Sequence, residues 1–429
     1  SFGSGACSCR PPPVVGSCRV VAMITVKEAD RIIRSRITVM NSEKVMLENC
    51  SGRILAQEIV ASFPQPRFDN TAMDGFAVRA VDTVGASADS PVTFSMKGVI
   101  PAGEPTDIVI GKAECCQIMT GAPIPEGADS VVMVEDSGGF GNDRSVDIIK
   151  EVKDGENIRY CGEEIAEGEI LINPGNHLDA GEIGVAATFG YGNIEVYRQP
   201  KISLFATGDE LIEPGNELKP GQIYNSNFHV FAELSDRVGA QVIMRTVLKD
   251  NTDSLKEILS EALITSNVIV SSGGVSMGKH DYVRDVFLEL GVEEHFWKVA
   301  QKPGRPLFFG ESKGTLIFGL PGNPVSSFIC FMEYVWPTCE RMMGLTPGKK
   351  VTARLLEPFP RESEKRRYLL GKLEMDGLEI VAKPSGKHGS HMFTSAVGSN
   401  AILEAPKGEK VLNTGEEITA KLLPWCELK

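Results

Sequence analysis

The sequence predicts a multidomain chain of mixed class, with one α/β domain and two smaller domains made mostly of β-strands. Three observations predict it. From Lys201 to about Gly344, strand-like and helix-like stretches alternate, which is the pattern of βαβ units wound into a three-layer, mostly parallel sheet. From Ala61 to Gly168, and again from Leu345 to Lys429, short β-like runs are separated by Gly and Pro turn signals. A chain of 429 residues is also too long for one hydrophobic core.

Residues 1–22 contain a proline run and no apolar core of signal-peptide length, and are read as a disordered leader or a non-native remnant ahead of a natural start at Met23. Thr25 followed by Glu28 forms a capping box and predicts a short helix over 26–36, with Ala29, Ile32 and Ile33 on one face. Residues 44–59 are helical or extended, and a further helix is expected over 179–189. Segments 23–60 and 168–200 are read together as a discontinuous linking domain around an inserted β domain, 61–167. Strands are expected there at 92–94, 116–119, 130–134 and 146–149.

In the α/β domain, 201–344, the pattern gives strands at 202–206, 241–247, 268–271, 296–299 and 316–318, with helices at 225–238, 254–265, 281–290 and 325–343. The last domain, 345–429, carries short strands at 353–356, 368–373, 379–381, 401–403 and 417–421, and reads as a small β-barrel or sandwich.

A net charge of −13 argues against nucleic acid or an anionic membrane as partner. No apolar run reaches the roughly 18 residues of a membrane helix. The ten cysteines include no CxxC pair, a pattern of reduced thiols in a cytoplasmic protein. Cys7 and Cys9 lack a second ligand pair at zinc spacing. His388 and His391, in GKHGSHMF, read as part of a surface loop rather than as metal ligands.

The chemistry concentrates where strands of the α/β domain end. Asn267 to Leu290 runs from a β-branched strand through Ser271, Ser272, Gly273, Gly274, Val275, Ser276 and Gly278 into a helix, an order that offers backbone amides to an anion. Thr207 to Leu211, Lys249-Asp250, and Pro321-Gly322-Asn323-Pro324 end three other strands. Together the four turns describe a crevice at one sheet edge, beyond the carboxyl ends of its strands, with the carboxylates Glu210, Asp250 and Asp281 in it. Lys298, Lys302 and Arg305 bring cations to that edge, suited to phosphates. Carboxylates beside lysines suggest a divalent ion and a phosphate ester held together. The β insertion adds polar loops around Asp74, Thr120, Arg159 and Glu164, ordinary by composition.

Seven stretches in this order, FDNTAMDGFAVR, MTGAPIPEGADSVV, NIRYCGEEI, LFATGDEL, SSGGVSMGKHDY, WKVAQKPGRPLFFG and GLPGNPVSS, closely resemble molybdopterin molybdenumtransferases, the MoeA and gephyrin E-domain family. The resemblance runs from Met23 to Lys429. It implies a homodimer of elongated four-domain subunits with the active site between subunits, and an α/β domain that binds molybdopterin. It implies Mg²⁺-assisted insertion of molybdate into adenylated molybdopterin with release of AMP.

Matching positions assign Glu210, Asp250 and Asp281 to metal and nucleotide binding or hydrolysis. Ser271, Gly273, Gly274, Ser276, Pro321, Gly322, Asn323 and Pro324 would shape the pterin-phosphate site, and Lys298 and Lys302 would bind anions. Asp74, Thr120, Arg159 and Glu164 would come from the β insertion of the other subunit, and Ser390 from the last domain. Glu164 stands where many relatives carry Asp. The resemblance leaves two competing functions, adenylyl transfer onto molybdopterin and a receptor-clustering scaffold. It also suggests, as a partner, the adenylyltransferase that delivers the substrate.

Overall fold

A computed structural model describes residues 23–141, 144–248, 252–273, 282–348, 350–386 and 388–428. The reading of residues 1–22 as a leader falls outside these, as do Asp250, Gly274, Ser276 and Asp281. The chain forms two compact units. One contains the described residues up to Glu43, Gly52–Ile54, and everything from Val196 onward; the other contains Lys44–Ser51 and Leu55–Glu195.

The strands that build the two larger sheets of the first unit are, in chain order, β1 (Lys201–Thr207), β2 (Gln241–Leu248), β3 (Val268–Ser272), β4 (Glu293–Lys298), β5 (Gln301–Lys302), β6 (Pro306–Ser312), β7 (Thr315–Leu320), β8 (Val351–Leu355), β9 (Arg366–Asp376), β10 (Glu379–Pro384), β11 (Ala401–Ala405) and β12 (Glu417–Leu422). Six of them make one sheet in the order β2-β1-β3-β7-β6-β4. The first four are mutually parallel, while β6 runs antiparallel to both β7 and β4. The expected parallel sheet is therefore present with a mixed edge. The sequence reading has no strand at Pro306–Ser312, because the prolines and glycine of KPGRP resemble a turn leading nowhere.

Alternation along these strands sorts their side chains to two faces, since successive residues of a strand point opposite ways. Ile202, Leu204 and Ala206 of β1, Val268 and Val270 of β3, and Leu316, Phe318 and Leu320 of β7 share one core. Phe228, Phe231 and Leu234 of helix Ser226–Arg237 pack into it, with the helical run from Pro324 and Ala29 and Ile33 of helix Val26–Arg34. Phe205, Ile269, Ile317 and Phe308 face the other way, against Leu255, Leu259, Val283, Val286 and Phe287 of helices Thr252–Thr265 and Tyr282–Glu289. Three layers result.

The expected helix over 325–343 is a composite. An α-turn run Pro324–Cys330 passes through a π segment, Phe331–Val335, into Trp336–Met342. Pro337 sits at the start of that last piece, where its missing N–H donor is best tolerated. The capping box at Thr25 is present, with the Glu28 amide donating to Thr25 Oγ1 at 3.2 Å and the Thr25 amide to Glu28 at 2.7 Å.

The C-terminal strands close on themselves in the order β9-β10-β8-β12-β11, with β11 returning to β9, so they form a five-stranded barrel. β5, which belongs by sequence to the α/β region, adds to the outside of this barrel by pairing in parallel with β9.

In the second unit, Ser130–Met133, Gly75–Val78, Glu114–Ile118, Val92–Ile100 and Ser145–Ile148 form a five-stranded sheet. Phe76, Val78, Phe94 and Val132 are buried on one side, and Ala77, Ile100, Cys116 and Ile118 on the other. Residues 44–59 are extended rather than helical, apart from a single 3-10 turn at Leu47–Asn49. No disulfide forms among the described cysteines. Burial pushes the thiols of Cys115, Cys116 and Cys339 up to about 12, which leaves them protonated and unreactive. Among the described residues no helix is long and apolar enough to cross a membrane.

Candidate functional site

Parallel pairing of β2, β1, β3 and β7 places their carboxyl ends, at Leu248, Thr207, Ser272 and Leu320, along one edge of the sheet. This is the edge at which the four turns were expected to converge. β4 runs in the same direction, two antiparallel steps away, so Lys298 also ends there. Its ammonium lies 4.6 Å from the centre of the Trp297 ring, which also receives the Arg284 guanidinium at 4.5 Å.

The turns after β3 and β7 are tied by Asn227, a buried residue at the start of helix Ser226–Arg237. Its amide donates to Ser272 Oγ at 2.6 Å and to the Gly322 carbonyl at 2.8 Å, while Ser327 Oγ donates to its carbonyl oxygen at 3.2 Å. Gly273 has φ +82° and lies against the end of β1, where a Cβ would meet the Thr207 carbonyl at 2.9 Å. Ser271 is fully buried with no partner for its hydroxyl among the described residues, so what it presents to the edge is backbone. Glu210 is exposed and folds back over Gly208.

Next to this edge lies a cavity of about 450 Å³, bounded on one side by the turn after β7 and on the other by the barrel. It gathers four of the predicted residues, Lys302, Pro321, Asn323 and Ser390. Ser390 is held by its own backbone and side chain: its carbonyl accepts from the Val325 amide at 3.0 Å and its hydroxyl from Asn323 Nδ2 at 3.2 Å. Pro324 opens the helix that follows, its ring fixing φ at a position where no N–H is needed. Gly304, φ +88°, is needed because a Cβ there would meet Cys330 Sγ at 2.5 Å.

The cavity also contains residues that sequence reasoning missed: Lys365, Arg367, His388 and His391 join Arg305 in its lining. The histidines were read as surface loop, and both are exposed and outside helices and strands; that loop also lines the cavity. β5 pairing with β9 puts Lys302 in register with Arg367.

Arg367 is the most informative of these. Its side chain is only 7% exposed, and Nε is buried with no partner among the described residues. Nη2 reaches the His388 carbonyl only at 3.5 Å. Burial works against the charge of its guanidinium, offset in part by Glu362. A buried cation short of acceptors, in a cavity lined by further cations, is suited to receive an anion with several oxygens.

The second unit assembles the other predicted group. The Asp74 carboxylate accepts from the Thr120 hydroxyl at 2.6 Å and from the Thr120 amide at 2.7 Å, which holds its carboxyl below the usual range. Gly121, the next residue, lines an open depression of about 720 Å³ with Arg159 and Glu164. The Glu164 amide donates to the Gln65 carbonyl at 3.0 Å. Of the three carboxylates assigned to a metal, Glu210 alone is described, and no group of three metal-ligating side chains occurs among the described residues.

Comparison with known proteins agrees with this layout along the chain. Residues 24–190 match the MoeA N-terminal region (domain I and II), residues 203–341 a probable molybdopterin binding domain, and residues 352–423 the MoeA C-terminal region (domain IV). Molybdopterin molybdenumtransferase of Staphylococcus epidermidis is 35% identical over 91% of this chain and 94% of its own length. The enzyme of the same name from a Nostoc species is 33% identical over 94% of each. A molybdopterin biosynthesis MoeA protein of Pyrococcus horikoshii superposes with a TM-score of 0.82 at 33% identity, over 94% of this chain and 99% of that one. The chain belongs to the MoeA family, the molybdopterin molybdenumtransferases of molybdenum cofactor biosynthesis.

Proposed function

We propose that this chain inserts molybdenum, taken up as molybdate, into adenylated molybdopterin with Mg²⁺ assistance and release of AMP, and that it works in the cytoplasm as a homodimer. The observation that carries the reading is the buried, under-partnered Arg367 in a cavity beside the carboxyl edge of the α/β sheet. Molybdate and the phosphates of an adenylated pterin are oxyanions, and both need what this edge provides.

In this reading Lys302, Arg305, Lys365 and Arg367 draw the oxyanion into the cavity, where Ser390 and Asn323 supply neutral hydrogen-bonding groups. Gly273, Gly274, Ser276, Pro321, Gly322, Asn323 and Pro324 receive the pterin and its phosphates, with Ser271 buried near the end of β3 and Lys298 at the end of β4. Asn227 holds the turns after β3 and β7 at a fixed separation, which preorganises the seat before substrate arrives. Glu210, Asp250 and Asp281 are hard oxygen donors of the kind Mg²⁺ takes. When bound, that ion would polarise the phosphoanhydride. Asp74, Thr120, Arg159 and Glu164 complete the site from the other subunit of the dimer. An adenylyltransferase that hands over the adenylated pterin is the partner this scheme requires.

The test incubates purified protein with adenylated molybdopterin, Mg²⁺ and molybdate and measures AMP by chromatography. Molybdate-dependent AMP release that Asp281→Ala abolishes is the expected result. AMP release independent of molybdate, or ATP consumption with free molybdopterin instead, would overturn it in favour of adenylyl transfer. Neither activity in a folded dimer would favour a scaffold.

A further inference from the structure

Lys302 is not free to meet an anion. Its ammonium is 2.6 Å from Glu362 Oε1, and the same carboxylate oxygen is 3.9 Å from Arg367 Nη1. These two cavity cations are the ion-pair partners found for the Glu362 side chain. Lys302 holds the Glu362 carboxyl below the usual range, so the carboxylate is charged at neutral pH. The pair is largely exposed, Lys302 at 49% and Glu362 at 29%, and such pairs contribute little to folding.

We infer that Glu362 is a resident counter-ion of the oxyanion cavity: an incoming oxyanion must displace its carboxylate from Lys302, and Glu362 thereby limits how tightly molybdate is held and how slowly it leaves. This rests on the reading of the cavity as an oxyanion site. The carboxylate occupies the coordination that Lys302 would offer the ligand, and after displacement it remains close enough to repel it. Both effects weaken binding, and neither requires the fold to change. A site that must pass its oxyanion to a second substrate gains from such a competitor, because the seat empties readily.

The sign of the effect distinguishes this from a structural role, which would weaken binding when removed. Molybdate and tungstate binding to the full-length protein would be measured by isothermal titration, with dissociation followed by stopped flow, for wild type, Glu362→Gln, Glu362→Asp and Arg367→Ala. Glu362→Gln should bind molybdate about three- to tenfold more tightly, mainly through slower dissociation. Glu362→Asp, with shorter reach, should fall between it and wild type. Unchanged or weaker binding in Glu362→Gln, with binding lost in Arg367→Ala, would overturn the role of Glu362 and leave the cavity reading intact. Molybdate binding that survives fully in Arg367→Ala, or is absent from wild type and Glu362→Gln alike, would overturn the cavity reading and this inference with it.

Discussion

Arg366 and Arg367 are neighbours on β9 and meet opposite fates. Arg366 donates to Glu404 at 2.9 Å, and Glu404 accepts from Lys350 at 2.5 Å. Lys350 also pairs at 3.2 Å with Glu333, whose side chain is 7% exposed, and Lys421 lies 3.7 Å from the other oxygen of Glu333. Every charge in that cluster faces an opposite one. Arg367, one residue along and on the other side of the strand, enters the cavity with Nε unpartnered among the described residues. A strand turns consecutive side chains to opposite faces, so one position serves the architecture and the next serves a ligand. Buried charges that are matched internally hold domains in place. A buried charge left short of acceptors leaves room for something the chain does not itself supply.

The largest effect should come from the matched cluster. Glu333→Ala takes from Lys350 one of its two carboxylate partners and from Lys421 the carboxylate beside it, and should cost about 3–5 kcal/mol in urea denaturation. Molybdate affinity of the folded variant should stay within about twofold of wild type, because the change does not touch the cavity. A large loss of affinity with unchanged stability would break the comparison.

Arg367→Ala should do the reverse. Molybdate-dependent AMP release should fall by about 10²- to 10³-fold, as on removing a charge-stabilising donor, while the thermal midpoint holds or rises, since a buried cation with an open donor is gone. Asn227→Ala is intermediate, because that residue both supports the fold and sets the spacing of two site turns. It should cost about 1–3 kcal/mol of stability and also lower turnover, read from chemical denaturation and AMP release on the same preparation.

The smallest effect concerns pH. Desolvation alone would raise the Glu333 carboxyl, but Lys421, Lys350 and Arg366 outweigh it and hold it below the ordinary value. A depressed carboxyl contributes stability that is fully present above its unfolded value and is lost as pH falls through the folded one. Lys350 is held above its ordinary value by Glu333 and Glu404 against its desolvation. Its contribution is fully present below the unfolded lysine value and is lost as pH rises through the folded one. The wild-type urea midpoint should therefore dip at both extremes. Glu333→Ala should flatten the acid limb, and an unchanged acid limb would remove Glu333 from the account.

Much of the fold was legible because its signals are local. The Thr25-Glu28 box, the apolar runs ending at Thr207, Ser272 and Leu320, and the helical spacing of Phe228, Phe231 and Leu234 each lie within a few residues. Those signals locate the strand ends of the α/β domain without reference to pairing, and the ordered motifs mark the family. Pro306–Ser312 escaped because prolines and a glycine hid its start, so the mixed edge of the sheet went unseen. His388 and His391 sit in a glycine-rich stretch that reads as surface loop, and they are exposed there, but only the fold brings that loop to the cavity.

What only the tertiary structure decided is which charges find partners. Lys302 meets Arg367 through a two-residue strand that crosses from the α/β region to the barrel, and Glu362 reaches both. Nothing in the run Lys365-Arg366-Arg367 marks the last residue as the one facing a cavity. Pairing across long sequence separations is fixed by packing and register, and a lone arginine carries no local pattern by which to read it.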